Sequence, residues 1–497
     1  MKKSLSILWI LAIITGCSMP SGRSWIIPLK VDPSDLSFTP SQLESFAERR
    51  EKVLDSIGDG VVILRSQNEH SQNRHQFRPE NYFFYLTGIE SPGVHMMMGR
   101  NLSHPYNLCI EPQSVRSLIY EGERPDSEEI AGEYQPDTVV GMEKFLEMAR
   151  LALNSGSPVY ADPPDLEFLE MLMQDSQDDP GSSVNPPAEI RPISMIVDKL
   201  RVIKEPWEVE RLQKACNITS MALTLVMEDC SPGQFEFEME SIIEGTFLRY
   251  GSAMPGFPSI VGSGPKSTIL HYESNDRQMG DGELLLMDIG AEYGRYTADI
   301  TRTIPVNGRF SEEQRTIYQL VLDAQKRAID SLIPGNRISD GHMAAREVIL
   351  EGLHRLGLIT DSTSAWQAKF YVIYPSSHYL GLEVHDVGDY GGFFADFAND
   401  GPDYDLPGRI LEPGMVLTIE PGLYFREGGL DQLHRIFGHR VDSLEMEEFI
   451  GEVRPVYEEF ENIGVRIEDD ILITRNGNIN LSRYAPKEID DIEQLMK

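Results

Sequence analysis

The chain has 497 residues, 41% hydrophobic and 9% aromatic, which is enough for two or three packed domains, each with its own core. With 44 Lys and Arg against 79 Asp and Glu, its formal net charge is −35. Such a chain repels phosphate backbones and anionic surfaces, so no nucleic acid is expected as a partner.

Residues 1–16 read as an export signal. Lys2 and Lys3 form a charged start, and Leu5 to Ile14 form an apolar run too short to span a membrane as a stable helix. The run ends in Ile14-Thr15-Gly16-Cys17, which resembles a lipoprotein cleavage box with Cys17 as the lipidated residue. The competing reading is an ordinary signal peptide with an incidental cysteine. Ser18 lacks the acidic character that often retains such proteins in the inner membrane. The expected address is therefore exported and lipid-anchored to the bacterial cell envelope, on its periplasmic face, with a lean toward the outer membrane. Residues 17–35, with Pro20, Gly22, Pro28 and Pro33, form the tether. Cys109, Cys216 and Cys230 are odd in number and show no CxxC spacing, so they read as buried apolar cysteines rather than a disulfide scaffold or a thiolate zinc site.

Residues 36–197 read as an α/β domain. Leu43, Phe46, Ala47, Val53, Leu54 and Ile57 place an amphipathic helix over 41–57, and Gly60 to Leu64 form a buried strand. Short apolar runs at Tyr82 to Leu86 and Ser117 to Tyr120 then alternate with helical stretches such as Val139 to Leu153. The Asp-, Ser-, Pro- and Gly-rich stretch from Asp175 to Pro192 approaches a boundary near Asp198. Residues 198–497 read as an α+β domain with antiparallel strands. Helices are expected over Glu205 to Met227, Phe235 to Arg249 and Ser311 to Leu332, and strands over Glu283 to Ile289 and Tyr296 to Pro305. Ser311 sits at the N-cap of its helix, with glutamates in the first turn.

The segments Leu284 to Gly290 and Thr297 to Thr303 read as a hairpin with Tyr293-Gly294 at the tip, a register that pairs Asp288 with Asp299. Opposed carboxylates with Cβ atoms roughly 5 Å apart destabilise a sheet unless a positive charge separates them. The plainer alternatives are an exposed edge aspartate or a bulge that turns the side chains apart. Downstream, Ser377 to Gly388 offers His378 and His385 among glycines, Met415 to Tyr424 sets Glu420 before Pro421, and Gly464 to Ile473 sets Glu468 in an apolar run. A lone buried glutamate is ordinarily a hydrogen-bonded structural residue. Four carboxylates with one imidazole instead suit two divalent first-row metals, manganese first, with cobalt, iron or zinc as alternatives. Two such ions can generate hydroxide and clamp a developing oxyanion.

At these residues the sequence resembles the Xaa-Pro aminopeptidase and prolidase family. The matching motifs run in order through Ile260-Val261-Gly262-Ser263-Gly264 with Leu270-His271-Tyr272, Met287 to Gly290, Ala298 to Thr303, His378 with Val384 to Gly388, Leu411 to Met415 with Ile419 to Gly422, and Gly464 to Asp469. The resemblance implies a creatinase-like N-terminal α/β domain, matched at Phe77-Arg78-Pro79 and Tyr82 to Gly88, followed by a pita-bread catalytic domain. It implies that Asp288, Asp299, His378, Glu420 and Glu468 are metal ligands, Asp299 and Glu468 touching both ions, with Glu420 also the general base. It assigns His271 and His385 to orienting substrate, donating to its carbonyl and moving protons. Arg466, on the strand face of Glu468, should hold a metal-binding carboxylate such as Asp288, the plainer reading being a structural ion pair. Tyr374, at a substrate-binding position, stands where many members of the family have another histidine and offers one hydroxyl donor and a ring face.

The implied reaction is hydrolysis of the N-terminal Xaa-Pro bond of short proline-containing peptides by hydroxide bridging two metals, in a homo-oligomer. A prolidase specific for dipeptides and a non-catalytic pita-bread peptide-binding protein are the alternatives. Residues 389–409 and 430–459 are longer than a minimal pita-bread connection and read as surface elaboration, with lid or oligomer loops as the alternative.

Overall fold

A computed structural model describes residues 36–66, 77–177, 188–392 and 408–497. The expected signal, Cys17 and the tether lie outside the described residues, as do 178–187 and 393–407 of the two loop stretches. The chain divides between Arg201 and Val202. That is about one helical turn after the expected boundary, because the helix Ser194–Arg201 belongs with the first unit, where the Tyr82 hydroxyl donates to Asp198 Oδ1 at 2.8 Å.

The first unit is built on a six-stranded mixed sheet of β1 (Val61–Arg65), β2 (Val94–Met98), β3 (Tyr106–Ile110), β4 (Thr138–Val140), β5 (Val159–Ala161) and β6 (Ile190–Pro192), in the order β4-β3-β2-β1-β5-β6. Strands β1, β2 and β3 pair antiparallel, whereas β4, β5 and β6 join in parallel. Ile63, Met97, Cys109, Phe145, Ala149 and Leu169 pack one core between the sheet and the helices Met142–Leu153 and Leu166–Gln177. The apolar runs at 82–86 and 117–120 are helical, within Asn81–Thr87 and Val115–Glu121. Runs this short carry too little periodicity to separate a buried helix turn from a strand. The first of them ends at Gly88, in the left-handed region at φ 74°, where a Cβ would stand 2.7 Å from the Phe46 ring. The stretch from Val139 to Leu153 splits into the end of β4 and a helix starting at Met142.

The second unit is α+β. Its long helices are Pro206–Asp229, Glu236–Arg249, Glu312–Ser331 and Ile338–Leu356. Ser311 caps the third of these by accepting from Gln314 N at 3.2 Å, and the Gln314 side chain accepts from Ser311 N at 3.0 Å in return. Strands β7 (Ile260–Ser263), β8 (Leu284–Ile289) and β11 (Ile300–Pro305) form an antiparallel sheet in the order β11-β8-β7, with the short pair β9 (Glu292–Tyr293) and β10 (Tyr296–Thr297) beyond it. Strands β12 (Val416–Ile419), β15 (Asp469–Thr474) and β16 (Gly477–Asn480) form a second sheet, and β13 (Gly422–Phe425) pairs with β14 (Ile463–Arg466).

The hairpin register differs from the expected one. Tyr293 pairs with Tyr296, so the tip is Gly294-Arg295, both left-handed at φ 54° and 78°. That is the geometry a two-residue hairpin turn requires. Arg211 Nη1 holds it by donating to Gly294 O at 2.8 Å. Asp288 consequently faces Thr301, not Asp299. Continuing this register through Ala298-Asp299 sets Asp299 opposite Gly290, so the two aspartates are diagonal neighbours on one face of the hairpin.

Candidate active site

Three of the four site carboxylates stand where a strand breaks. Asp299 lies between β10 and β11, Glu420 between β12 and β13, and Glu468 between β14 and β15. At the last two breaks the chain changes partners, because β12 pairs with β15 while β13 pairs with β14. A residue at such a step belongs to neither of those ladders, and Glu468 N donates instead to Thr301 O of β11 at 3.1 Å. Asp288 projects from within β8. His378 arrives on a segment that runs beside β12, fixed by Thr418 N donating to His378 O at 2.9 Å and Glu420 N donating to Ser376 O at 3.0 Å.

These residues meet in a cavity of about 440 Å³ whose lining includes His271, Asp288, Asp299, Tyr374, His378, His385, Glu420, Arg466 and Glu468. His378 Nε2 is 3.4 Å from Asp299 Oδ2, 3.6 Å from Glu420 Oε1 and 3.9 Å from Glu468 Oε1. Its Nδ1 lies 3.1 Å from Tyr379 O, an atom that can only accept, so Nδ1 carries a proton and Nε2 is the nitrogen turned toward the carboxylates.

Burial and mutual repulsion dominate the electrostatics. Desolvation, then Asp288, Asp470 and Glu420, push Asp299 well above the usual carboxylate range. Desolvation, then Asp299, Glu420 and Asp288, do the same to Glu468. Glu420 is raised by burial to about 7, with His378 and Arg466 pulling the other way. Three buried oxygens, Asp288 Oδ1, Asp299 Oδ1 and Glu468 Oε1, accept no hydrogen bond. Leaving anionic acceptors buried and unpaired is costly, and divalent cations between them are the simplest remedy. Ligand atoms of Asp299, His378 and Glu468 lie within 4.8 Å of one another, a spacing that one ion can bridge. The residues present therefore fit a metal centre of oxygen and imidazole donors.

Arg466 reaches three partners. Its Nη2 donates to Asp288 Oδ2, its Nε to Thr301 Oγ1 at 3.0 Å, and its Nη1 to the Tyr424 hydroxyl at 3.0 Å. Thr301 Oγ1 donates in turn to Glu468 Oε2 at 2.7 Å. His271 and His385 are exposed beside the cavity. The His385 ring stands 4.4 Å from that of His378, and desolvation, then His378 and His271, lower it to about 4, so it is neutral at pH 7. The Tyr374 hydroxyl, read from sequence as a donor to substrate, is already committed: it donates to Glu420 O at 2.9 Å and lies 2.9 Å from the Tyr424 hydroxyl.

Sequence reasoning passed over Thr301, Tyr424 and a second buried arginine. Arg302 is fully buried, and its guanidinium reaches Glu468 O at 2.6 Å, Thr301 O at 2.8 Å, Asp469 Oδ1 at 2.6 Å and Pro486 O at 3.0 Å. It anchors the backbone on both sides of the site. The signal was present, since Arg302 lies in the middle of β11 and Asp469 and Asp470 open the apolar strand β15. Thr301, two residues after Asp299 and before an arginine, belongs to the same pattern.

Residues 210–475 match metallopeptidase family M24, and residues 46–160 match the aminopeptidase P N-terminal domain. The Xaa-Pro aminopeptidase of Haemophilus influenzae is 34% identical over 463 residues, covering 91% of this chain and 97% of its own. That of Escherichia coli is 32% identical over 472 residues, with the same coverage of 91% and 97%. Among solved structures, the low-pH form of Escherichia coli aminopeptidase P superposes with a TM-score of 0.78 at 30% identity, covering 93% of this chain and 99% of that one. An aminopeptidase from Pseudomonas aeruginosa gives 0.77 at 31% identity, covering 91% and 98%. With that agreement across both domains and a cavity fitted to metal, the chain belongs to metallopeptidase family M24, in its Xaa-Pro aminopeptidase branch, as a metal-dependent aminopeptidase with an aminopeptidase P N-terminal domain ahead of a pita-bread catalytic domain.

Proposed function

We propose that this enzyme hydrolyses the bond between the N-terminal residue of a short peptide and the proline that follows it, releasing the first residue. The observation that carries the reading is the group of unpaired buried carboxylate oxygens gathered near Nε2 of His378. Asp288, Asp299, His378, Glu420 and Glu468 would hold two divalent ions, manganese first, with Asp299 and Glu468 shared between them. Such ions would supply a hydroxide nucleophile at neutral pH and positive charge to stabilise the developing oxyanion.

The protein's own groups do the rest. Glu420 takes the proton as the nucleophile attacks and hands it toward the leaving proline nitrogen. His385, neutral at pH 7, donates an N–H to the scissile carbonyl oxygen, and His271 orients the peptide beside it. Arg466 holds Asp288 Oδ2 so that Oδ1 stays turned to the ions. A cavity of about 440 Å³ suits the first two or three residues of a peptide.

Hydrolysis of Gly-Pro and Arg-Pro-Pro by protein lacking residues 1–17, with added manganese, tests this. Release of arginine from the tripeptide, lost in Glu420→Gln, is the expected result. Cleavage of the dipeptide alone moves the assignment to prolidase, and no metal-dependent cleavage of either supports a binding protein instead. We also propose that Cys17 carries a lipid that fixes the enzyme to the periplasmic face of the cell envelope, the outer membrane favoured, and that it acts as a homo-oligomer. Radiolabelled palmitate should enter the wild type and not Cys17→Ala, and light scattering of the soluble form should give a multiple of the chain mass.

A further inference from the structure

Both backbone polar groups of Glu420 are held by one short segment. Strand β12 ends at Ile419 and β13 begins at Gly422, and the next residue, Pro421, has no N–H to offer. The Glu420 amide donates to Ser376 O at 3.0 Å, and the Glu420 carbonyl accepts from the Tyr374 hydroxyl at 2.9 Å. A carbonyl can only accept, so the single proton of Tyr374 is spent there. At its 2.9 Å contact with the Tyr424 hydroxyl, Tyr374 must therefore accept. Tyr424, its own proton turned to Tyr374, accepts from Arg466 Nη1 at 3.0 Å, and Arg466 also holds Asp288. The hydrogen bonds thus run one way, from the arginine on Asp288 to the peptide group of Glu420. Gly422 makes room for them, because a Cβ there would stand 2.6 Å from the Tyr424 hydroxyl and 2.7 Å from that of Tyr374.

We propose that Tyr374 is a positioning residue whose hydroxyl fixes the peptide plane after Glu420 and couples that carboxylate to Asp288, so that two metal ligands on separate strands share one geometry. Tyr374 is also among the residues that line the cavity. The inference rests on the proposed reading of Glu420 and Asp288 as ligands.

Tyr374→Phe removes the hydroxyl and keeps the ring. In calorimetric titration of metal-free protein its affinity for Mn2+ should fall about tenfold, as loss of a group that orients a ligand does. With manganese in excess, kcat on Arg-Pro-Pro should fall while KM stays within about twofold, because the ring is kept. Tyr424→Phe should add little to Tyr374→Phe, since both break one chain. Gly422→Ala, which displaces the hydroxyls without altering either tyrosine, should reproduce the loss of affinity and serves if Tyr374→Phe does not fold. Wild-type Mn2+ affinity in either variant, or fully multiplicative losses for the two tyrosines, overturns the proposal. Glu420→Gln run in parallel separates the layers: unchanged Mn2+ affinity there removes the underlying reading, whereas weakened affinity there with none in Tyr374→Phe removes only this one.

Discussion

Two buried arginine–aspartate pairs flank the cavity, and they are built to opposite rules. Arg302 and Asp469 are both fully buried and both saturated: besides Arg302, Asp469 takes Lys487 Nζ at 2.5 Å, Gln325 Nε2 at 2.8 Å and Asn480 Nδ2 at 2.7 Å. Burial alone would raise Asp469, but Arg302 and Lys487 outweigh it and hold the carboxyl below its usual range. Arg466 and Asp288 form an equally close pair, yet Asp288 Oδ1 is left without a donor. The saturated pair has no acceptor to spare, whereas Asp288 lines the cavity with one oxygen still open to a cation. The same test separates Asp469 from its neighbour Glu468, whose Oε1 is also unpaired.

The largest effect should come from the unsaturated side. Glu468→Gln is expected to lower peptide hydrolysis by about 1,000-fold, or ~4 kcal/mol, at saturating metal. Thermal melts of the metal-free variant should stay level with or exceed wild type, because a repelled buried anion has been removed. Loss of stability to match the loss of activity would erase the distinction.

On the saturated side, Asp469→Ala leaves Arg302 buried without its anion and should cost about 3–5 kcal/mol in denaturant unfolding. Activity should fall only as folded protein is lost. His342 sharpens the same contrast as a buried base that is not a ligand but accepts from Ser376 N at 3.2 Å, lowered to about 3 by burial and then by Arg346. A depressed histidine stabilises the fold fully above the unfolded value of 6.5, and that contribution is lost as pH falls toward 3. Wild type should lose on the order of 5 kcal/mol from this group over that window, and His342→Gln should show a shallower acid limb in unfolding free energy. The smallest effect belongs to Arg466→Lys, which keeps the charge and loses the fork to Thr301 and Tyr424. It should weaken Mn2+ binding about tenfold and leave the melting temperature within a few degrees.

Much of the site was legible in the sequence because a charge inside an apolar run is conspicuous, as at Asp288, Glu420 and Glu468, while Asp299 stood out through its hairpin with Asp288. What such a run cannot reveal is whether the charge is saturated. Arg302 and Arg466 look alike in sequence, and only the count of partners in three dimensions divides them. The hairpin register was misread because Arg295, a non-glycine at positive φ, occupies the turn position that a sequence reader gives to a neighbour. The helix at 81–87 was hidden because its seven residues are mostly buried and aromatic, with no polar face to set a period. Tyr374 was visible as a departure, but the fate of its hydroxyl depends on how closely Gly422 lets it approach the backbone.

The most direct test of the central claim is metal stoichiometry read against turnover. Protein stripped with chelator would be titrated with Mn2+, following arginine release from Arg-Pro-Pro and bound metal in the same samples, beside Glu420→Gln. Activity that is absent in the stripped enzyme and reaches its plateau as two ions bind per chain, with none in the variant, is the predicted result. Undiminished cleavage after stripping, or full metal loading with no arginine released, would contradict it.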